Sequence, residues 1–501
     1  MKNHIKSKNI VVDSLDLISD FVKNWDNNYM SLSNFFNNAF NISSTVDKDI
    51  IDSYKFDWSN LPANASILTR PKSIKECSII LKTCYKCNIP ITVSAGRTNL
   101  TGSATPEEGL ILSTVLLTEP EIELDINNKH VLSSIGIPLQ VLRNKILELS
   151  NQNLFYPVNP TSRNDAFVGG TLSCNASGFI PGDKGATRYW VKEIEMLLPN
   201  GNYLLISRGQ SISIDSKFFL EDDNDIIELP IPNYRRPKIK NASGPFSSDK
   251  GEIDLIDLII GSEGIFGLIV SCKLNLLARP KKYLDLFLKL ESENQAIDLY
   301  HYLYNKFKKD MSRVFALEYF GYNCQNYMLH KEKLFKDNRS VGIYLQYPIL
   351  FGTMDDTVEK WIDILDKSRC EIADDDIILL NSPENWRMFF EARHSMPAHA
   401  LDKTKALDAI SIITDTIVPY ETFDQFIKFS HAILQNNNIE YLLFGHLGDC
   451  HLHFHVIYTR EQAQIIKDIY QKIIRESAKL GGVYSAEHGT GKRKTIDFFE
   501  C

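Results

Sequence analysis

Apolar and polar positions along this chain repeat with two different periods, and the changes from one period to the other mark its elements. Apolar residues recur every three to four positions over 12–22 and again over 78–87, which predicts two amphipathic helices. The second is announced by Pro71-Lys72-Ser73-Ile74, a helix-start signal. Residues 89–93 read as a short buried strand that runs out into a polar loop. After Pro280 the pattern turns to strands over 284–290, 314–320 and 341–347, with helical stretches over 293–309 and 355–368. That alternation predicts an antiparallel sheet covered by helices. Residues 441–444 form a further buried strand, which turns at Gly448-Asp449 and returns over 452–457. Period-two spacing puts His451, His453 and His455 on one face of the return strand and Leu452, Phe454 and Val456 on the other.

Length divides this series. A chain of 501 residues is too long for one hydrophobic core, so we expect an N-terminal helical extension over 1–46, a first domain over 47–280 and a second over 281–501. With 55 basic and 63 acidic residues the net charge is -8, which disfavours nucleic acid as a partner. The basic run 234–240, Tyr-Arg-Arg-Pro-Lys-Ile-Lys, reads as a solvated loop. Residues 1–9 are polar and lead into no apolar core of a signal peptide, and nothing approaches the roughly 18 unbroken apolar residues of a membrane helix. The expected location is cytoplasmic, with peripheral membrane contact left open. Nine scattered cysteines fit reduced thiols, and Cys84 and Cys87, a single CxxC without a second pair, read as structural.

The chemistry lies in three loops and one histidine cluster. Residues 94–102, Ser-Ala-Gly-Arg-Thr-Asn-Leu-Thr-Gly, can turn successive backbone N–H groups toward an anion, although alone such a stretch is equally a surface turn. Residues 156–162 lead to a second small-residue stretch, 168–178, and 261–269 form a third, ahead of an apolar strand. Three such loops in one domain imply a large ligand laid across several strand ends. Five of the 12 histidines fall between His446 and His488. Buried imidazoles need polar partners, so this crowding suggests a site for chemistry.

On these segments the chain resembles the vanillyl-alcohol oxidase type of flavoprotein and, within it, the FAD-linked D-2-hydroxy-acid dehydrogenases that act on D-lactate, glycolate or D-2-hydroxyglutarate. The resemblance covers roughly residues 47 to 494. It implies an α+β fold, with a two-subdomain FAD-binding domain and a cap domain whose antiparallel sheet is covered by helices. The diphosphate of FAD would lie on Ser94, Ala95, Gly96, Arg97, Thr98, Asn99, Leu100 and Thr101. The rest of FAD would meet Pro160, Thr161 and Ser162, then Gly169, Gly170, Thr171, Asn175, Ser177 and Gly178, and finally Glu263, Gly264 and Ile269. Loop 94–102 offers neither histidine nor cysteine, so noncovalent FAD is expected. The family's carboxylate-holding arginine falls on Arg393, and a guanidinium fork suits that role. Its metal ligands fall on His446, His453 and Glu487, a set suited to Zn²⁺ or Mn²⁺, and its general base on His488.

Departures accompany the matches. Arg97 and Asn99 stand where the family favours glycine. Cys450 and His451 replace a usual Gly-Asn; His451 is left to ligate metal, contact substrate or point away. Cys450 and His455 read as structural, and His394 as a helix-face residue. In Asp415-Thr416-Ile417-Val418-Pro419 the family's lysine two positions before the aspartate is Ile413, so an ammonium is expected to be missing. The chain stops at Cys501, short of a segment usual in relatives. The leading expectation is hydride transfer from C2 of a D-2-hydroxy acid to flavin N5, with electrons passed to a quinone, cytochrome or electron-transfer protein, in a homodimer or with partner subunits. A noncatalytic flavin-binding subunit of a glycolate-oxidase-like complex and an alkyl-glycerone-phosphate-synthase-like transferase are the alternatives.

Overall fold

The computed structural model describes residues 4–223, 225–232, 237–242, 252–409 and 412–500. Residues 234–236 of the basic run lie outside them. The first domain is built on two sheets. One carries four strands in the order Ser43–Thr45, Ile67–Arg70, Leu110–Ser113 and Ile91–Ser94, the last three parallel. The helix Ile74–Lys86 crosses over between parallel strands, as such pairs require. Ser73 caps it by accepting from the Glu76 amide at 3.2 Å. The second sheet has five antiparallel strands in the order Tyr203–Ser207, Val191–Leu197, Leu268–Asn275, His130–Ser134 and Glu123–Asp125.

Residues 4–45 are part of this domain. The strand His4–Lys6 pairs in parallel with Lys217–Asp222, and Ser43–Thr45 is an edge of the four-stranded sheet. Val11, Ile18, Leu32 and Phe36 are fully buried in the same apolar cluster as Ile67 and Leu110. Cys84 is buried and Cys87 partly so, both as free thiols.

One apolar cluster ends at Leu276 and the next begins at Leu284. The second domain is the expected antiparallel sheet. Its seven strands run in the order Ile377–Leu379, Lys282–Leu290, Val341–Ile349, Ala316–Phe320, Glu440–His446, His451–Ile457 and Ile412–Ile413. Helices Glu293–Lys306, Met354–Lys367, Pro383–Ala406, Phe423–Asn436 and Ala463–Lys479 cover it. Among the described residues no helix is long and apolar enough to cross a membrane.

The segment that follows Ala463–Lys479 ties the two domains together. Lys492 and Arg493 donate their amides to the Thr101 carbonyl at 2.9 and 3.0 Å, and Gly491 donates its own to Glu263 Oε2 at 2.8 Å. The end of the chain is thereby fastened to two of the glycine-rich loops.

Candidate active site

Sheet register builds one wall of the site. Glu318, His446 and His451 are successive cross-strand partners on three neighbouring strands, so their side chains stand in a row on one face. Glu318 is buried, and its carboxylate lies 2.7 Å from His446 Nδ1. The Nε2 of His446 faces Glu487 Oε2 at 3.4 Å. Two residues along the return strand, His453 places Nδ1 2.9 Å from the Thr414 carbonyl, an acceptor only. That bond makes Nδ1 the protonated nitrogen and leaves the Nε2 lone pair free. His446, His451, His453 and Glu487 each offer a ligand atom, all within 4.8 Å of one another. With Nδ1 of both His446 and His453 engaged from behind, the donor set fits a divalent metal.

The 485–488 segment runs beside residues 415–417, and Asp415 organises it. This fully buried carboxylate accepts the amides of His488 at 2.9 Å and Glu487 at 3.2 Å, the Ser485 hydroxyl at 2.8 Å and Lys494 Nζ at 2.7 Å. His451 Nε2 stands 3.2 Å and His488 Nδ1 3.6 Å from it. Burial would raise its pKa, but His488, Lys494 and His451 together hold it well below the ordinary carboxylate range. Glu487 is likewise held low against burial, by His446 and Lys240. Burial lowers the pKa of His488, only partly opposed by Asp415, which favours the neutral imidazole. Its ring stacks on that of His453 with centroids 5.8 Å apart.

The other wall comes from the first domain. A single cleft is bordered by Ala95 to Leu100, Pro160 to Ser162, Gly169 to Thr171, Ser177, Gly178, Glu263, Gly264 and Ile269, and also by Phe179, His446, Glu487 and His488. Among the polar atoms of cleft residues, Asn159 Oδ1 and Ser177 Oγ are buried without a hydrogen-bond partner. A Cβ added at Gly170 would meet nothing nearer than Ala95 Cβ at 3.7 Å, so bare backbone is presented there. Unsatisfied polar atoms and open backbone fit a bound dinucleotide. Ser94, Thr101 and Asn175 stand behind the cleft surface. Asn99 Oδ1 accepts the amides of Thr101 and Ser103 at 2.9 and 3.1 Å, holding the loop's turn, and Asn175 accepts the Arg188 amide at 2.9 Å. Arg97 packs over Tyr54 at 5.0 Å and donates to the Ser53 carbonyl.

Arg393 lies one shell back from the cleft. Its guanidinium stacks on Phe179, a cleft residue, at 4.8 Å; among the described residues it forms no ion pair, and Glu318 is the carboxylate whose charge acts on it. His451 is fully buried and does not border the cleft; its ring lies 4.4 Å from that of His453. Cys450 keeps the glycine-like turn, at φ 57°, with Sγ 3.1 Å from the Tyr300 hydroxyl.

Three side chains enter the site unforeseen. Glu318 and Asp415 each carried a signal, a lone carboxylate inside an apolar strand-like run. Lys240 carried none. Its basic run read as solvent-facing, yet its ammonium is buried and lies 2.5 Å from Glu487 Oε1 and 3.0 Å from Asp449 Oδ2. Position 413 carries no ammonium, as expected, and the structural ammonium beside Asp415 is that of Lys494.

Comparisons with known proteins agree with this layout. Residues 65–207 match the family profile described as FAD binding domain, and residues 354–497 that of FAD linked oxidases, C-terminal domain. A D-lactate dehydrogenase of Anaerostipes hadrus is 22% identical over 445 residues, 86% of this chain and 82% of its own. The glycolate oxidase subunit GlcD of Bacillus subtilis is 23% identical over 434 residues, 85% of this chain and 80% of its own. A D-2-hydroxyglutarate dehydrogenase of Xanthomonas citri is 24% identical over 466 residues, 88% of this chain and 84% of its own. Among solved structures, p-cresol methylhydroxylase has a TM-score of 0.64 at 12% identity, covering 98% of this chain and 92% of its own. An alkyldihydroxyacetonephosphate synthase has a TM-score of 0.61 at 14% identity, covering 93% and 80%. The expected vanillyl-alcohol-oxidase type of fold is the one these share.

Proposed function

Because the chain belongs to the FAD-linked oxidases of vanillyl-alcohol-oxidase type, we propose that it oxidises a D-2-hydroxy acid of the lactate, glycolate or 2-hydroxyglutarate class to the 2-oxo acid. It is an FAD-dependent 2-hydroxy-acid dehydrogenase in class. The observation that carries the reading is one cleft bordered at once by the glycine-rich loops and by His446, Glu487 and His488.

The glycine-rich loops of that cleft would hold FAD noncovalently, and FAD would supply the two-electron oxidant for removal of the C2 hydride. Each remaining task falls to a side chain. Arg393, which among the described residues stands in no ion pair and stacks on the cleft residue Phe179, takes the substrate carboxylate in its guanidinium fork. His488 Nε2 takes the hydroxyl proton, with Asp415 beside Nδ1 steadying the ring. His446, His453 and Glu487 would hold Zn²⁺ or Mn²⁺, which would supply Lewis-acid charge that lowers the cost of releasing a hydroxyl proton. Glu318 and the Thr414 carbonyl orient the two imidazoles from behind. Reducing equivalents then leave to a quinone, cytochrome or electron-transfer protein.

The test is anaerobic titration of the purified flavoprotein with D- and L-enantiomers of lactate and 2-hydroxyglutarate, and with glycolate. Stoichiometric bleaching of the flavin by one of these acids, with any chiral acid acting as its D-enantiomer, is expected. Bleaching by none of them would reject the dehydrogenase reading in favour of a flavin-binding subunit.

A further inference from the structure

We propose that Lys240 is a resident cation that lowers the affinity of the His446, His453 and Glu487 group for a divalent metal, an inference that rests on reading this group as a metal site. Glu487 stands between Lys240 and His446. Its Oε1 is 2.5 Å from Lys240 Nζ, and its Oε2 faces His446 Nε2 at 3.4 Å. A metal ion joining the histidines therefore takes a carboxylate oxygen whose twin is already bound to an ammonium. Two cations sharing one buried carboxylate repel each other strongly, because little water screens them.

The ammonium has nowhere to retreat. The Lys240 side chain is 1% exposed, and Asp449 Oδ2 grips it at 3.0 Å while Asp449 Oδ1 is occupied by the Gly182 amide. The backbone of the two residues that follow it is pinned as well. Ala242 donates to the Ser485 carbonyl at 3.0 Å, and Asn175 Nδ2 donates to the Asn241 carbonyl at 3.4 Å.

This arrangement has a physical rationale. A buried carboxylate without a counter-charge is strongly destabilising, so Lys240 keeps Glu487 compensated whether or not a metal is bound. The metal becomes an exchangeable ligand, and the fold does not depend on it. Nothing in this requires Lys240 to touch substrate, so it is a positioning residue.

Metal affinity reads the effect directly. FAD-loaded protein is stripped with EDTA, and zinc binding is measured by competition with a chromophoric chelator for wild type, K240M, K240Q, K240R and E487Q. K240Q retains a donor toward Glu487 and Asp449 without the charge, so it serves if K240M does not fold; flavin content reports folding. Zinc should bind at least about tenfold tighter to K240M and K240Q than to wild type, with K240R close to wild type. A merely structural lysine would weaken binding when removed. Unchanged or weaker zinc affinity in K240M and K240Q, with E487Q abolishing binding, overturns the role of Lys240 alone. Zinc binding that E487Q leaves intact, or none in any variant, overturns the metal reading and this inference with it.

Discussion

Lys494 reaches Asp415 from the far end of the chain, with Nζ 2.7 Å from Oδ2 and side-chain exposures of 4% and 0%. The same carboxylate accepts the backbone amides of Glu487 and His488, so this pair sets where the candidate metal ligand and base stand. Removing one member leaves a buried, uncompensated charge. K494M should therefore lose about 3–5 kcal/mol of stability, read as a fall in the denaturant midpoint, whereas K494R should keep much of it. An unchanged midpoint in K494M would show that the pair contributes little.

Arg393 is expected to act through binding. R393M should raise KM for the hydroxy acid by roughly a hundredfold or more, about 2.7 kcal/mol of charge-assisted pairing, and leave flavin content intact. Steady-state kinetics on the FAD-loaded variant checks this, and an unaltered KM would remove Arg393 from the substrate site.

His488 is expected to act on the chemical step. H488Q should slow flavin reduction at saturating substrate by about 10²–10⁴, the usual worth of a positioned base, without loss of FAD. Stopped-flow reduction measures it, and a rate near wild type would assign proton removal elsewhere.

Glu318 never borders the cleft, yet it holds His446 Nδ1 at 2.7 Å. E318Q should therefore weaken zinc binding by about 10–100-fold, the effect expected when the group behind a ligating imidazole is replaced. Equal zinc affinity in E318Q and wild type would count against it.

Gly491 tests the tie between domains. It sits at φ 49°, and a Cβ there would lie 2.3 Å from the Thr101 carbonyl oxygen, a backbone atom with little room to yield. G491A should loosen loop 94–102 and weaken FAD retention by at least roughly tenfold, measured as flavin lost on dilution. Full retention would show that the docking of the chain's end does not support the cofactor loop.

Legibility of the sequence followed the range of the forces involved. Period-two alternation is a local property, and it placed His451 and His453 on one face of a strand that the structure runs from His451 to Ile457. The three small-residue loops were visible because glycine and asparagine are chosen by local backbone geometry, and they line the same cleft. Cross-strand neighbours were not visible. Glu318 meets His446 across a register that joins positions 128 residues apart, and no local pattern encodes such a pairing. Lys240 was misread for the same reason. Its sequence neighbours suggest solvent, and only the fold brings Glu487 and Asp449 around its ammonium. Ile413 led to the expectation of a lost charge, and the ammonium that the fold sets against Asp415 comes from Lys494, 79 positions along the chain.

The most direct measurement of the central claim is single-turnover reduction of the bound flavin, without oxygen, by a D-2-hydroxy acid and by its C2-deuterated form. If the cleft between the glycine-rich loops and the His446, Glu487 and His488 wall carries out hydride transfer, the visible flavin band bleaches in one turnover and deuterium slows it. H488Q should slow the same phase. A flavin that stays oxidised with every hydroxy acid offered, or a polypeptide that takes up no FAD, would contradict the account.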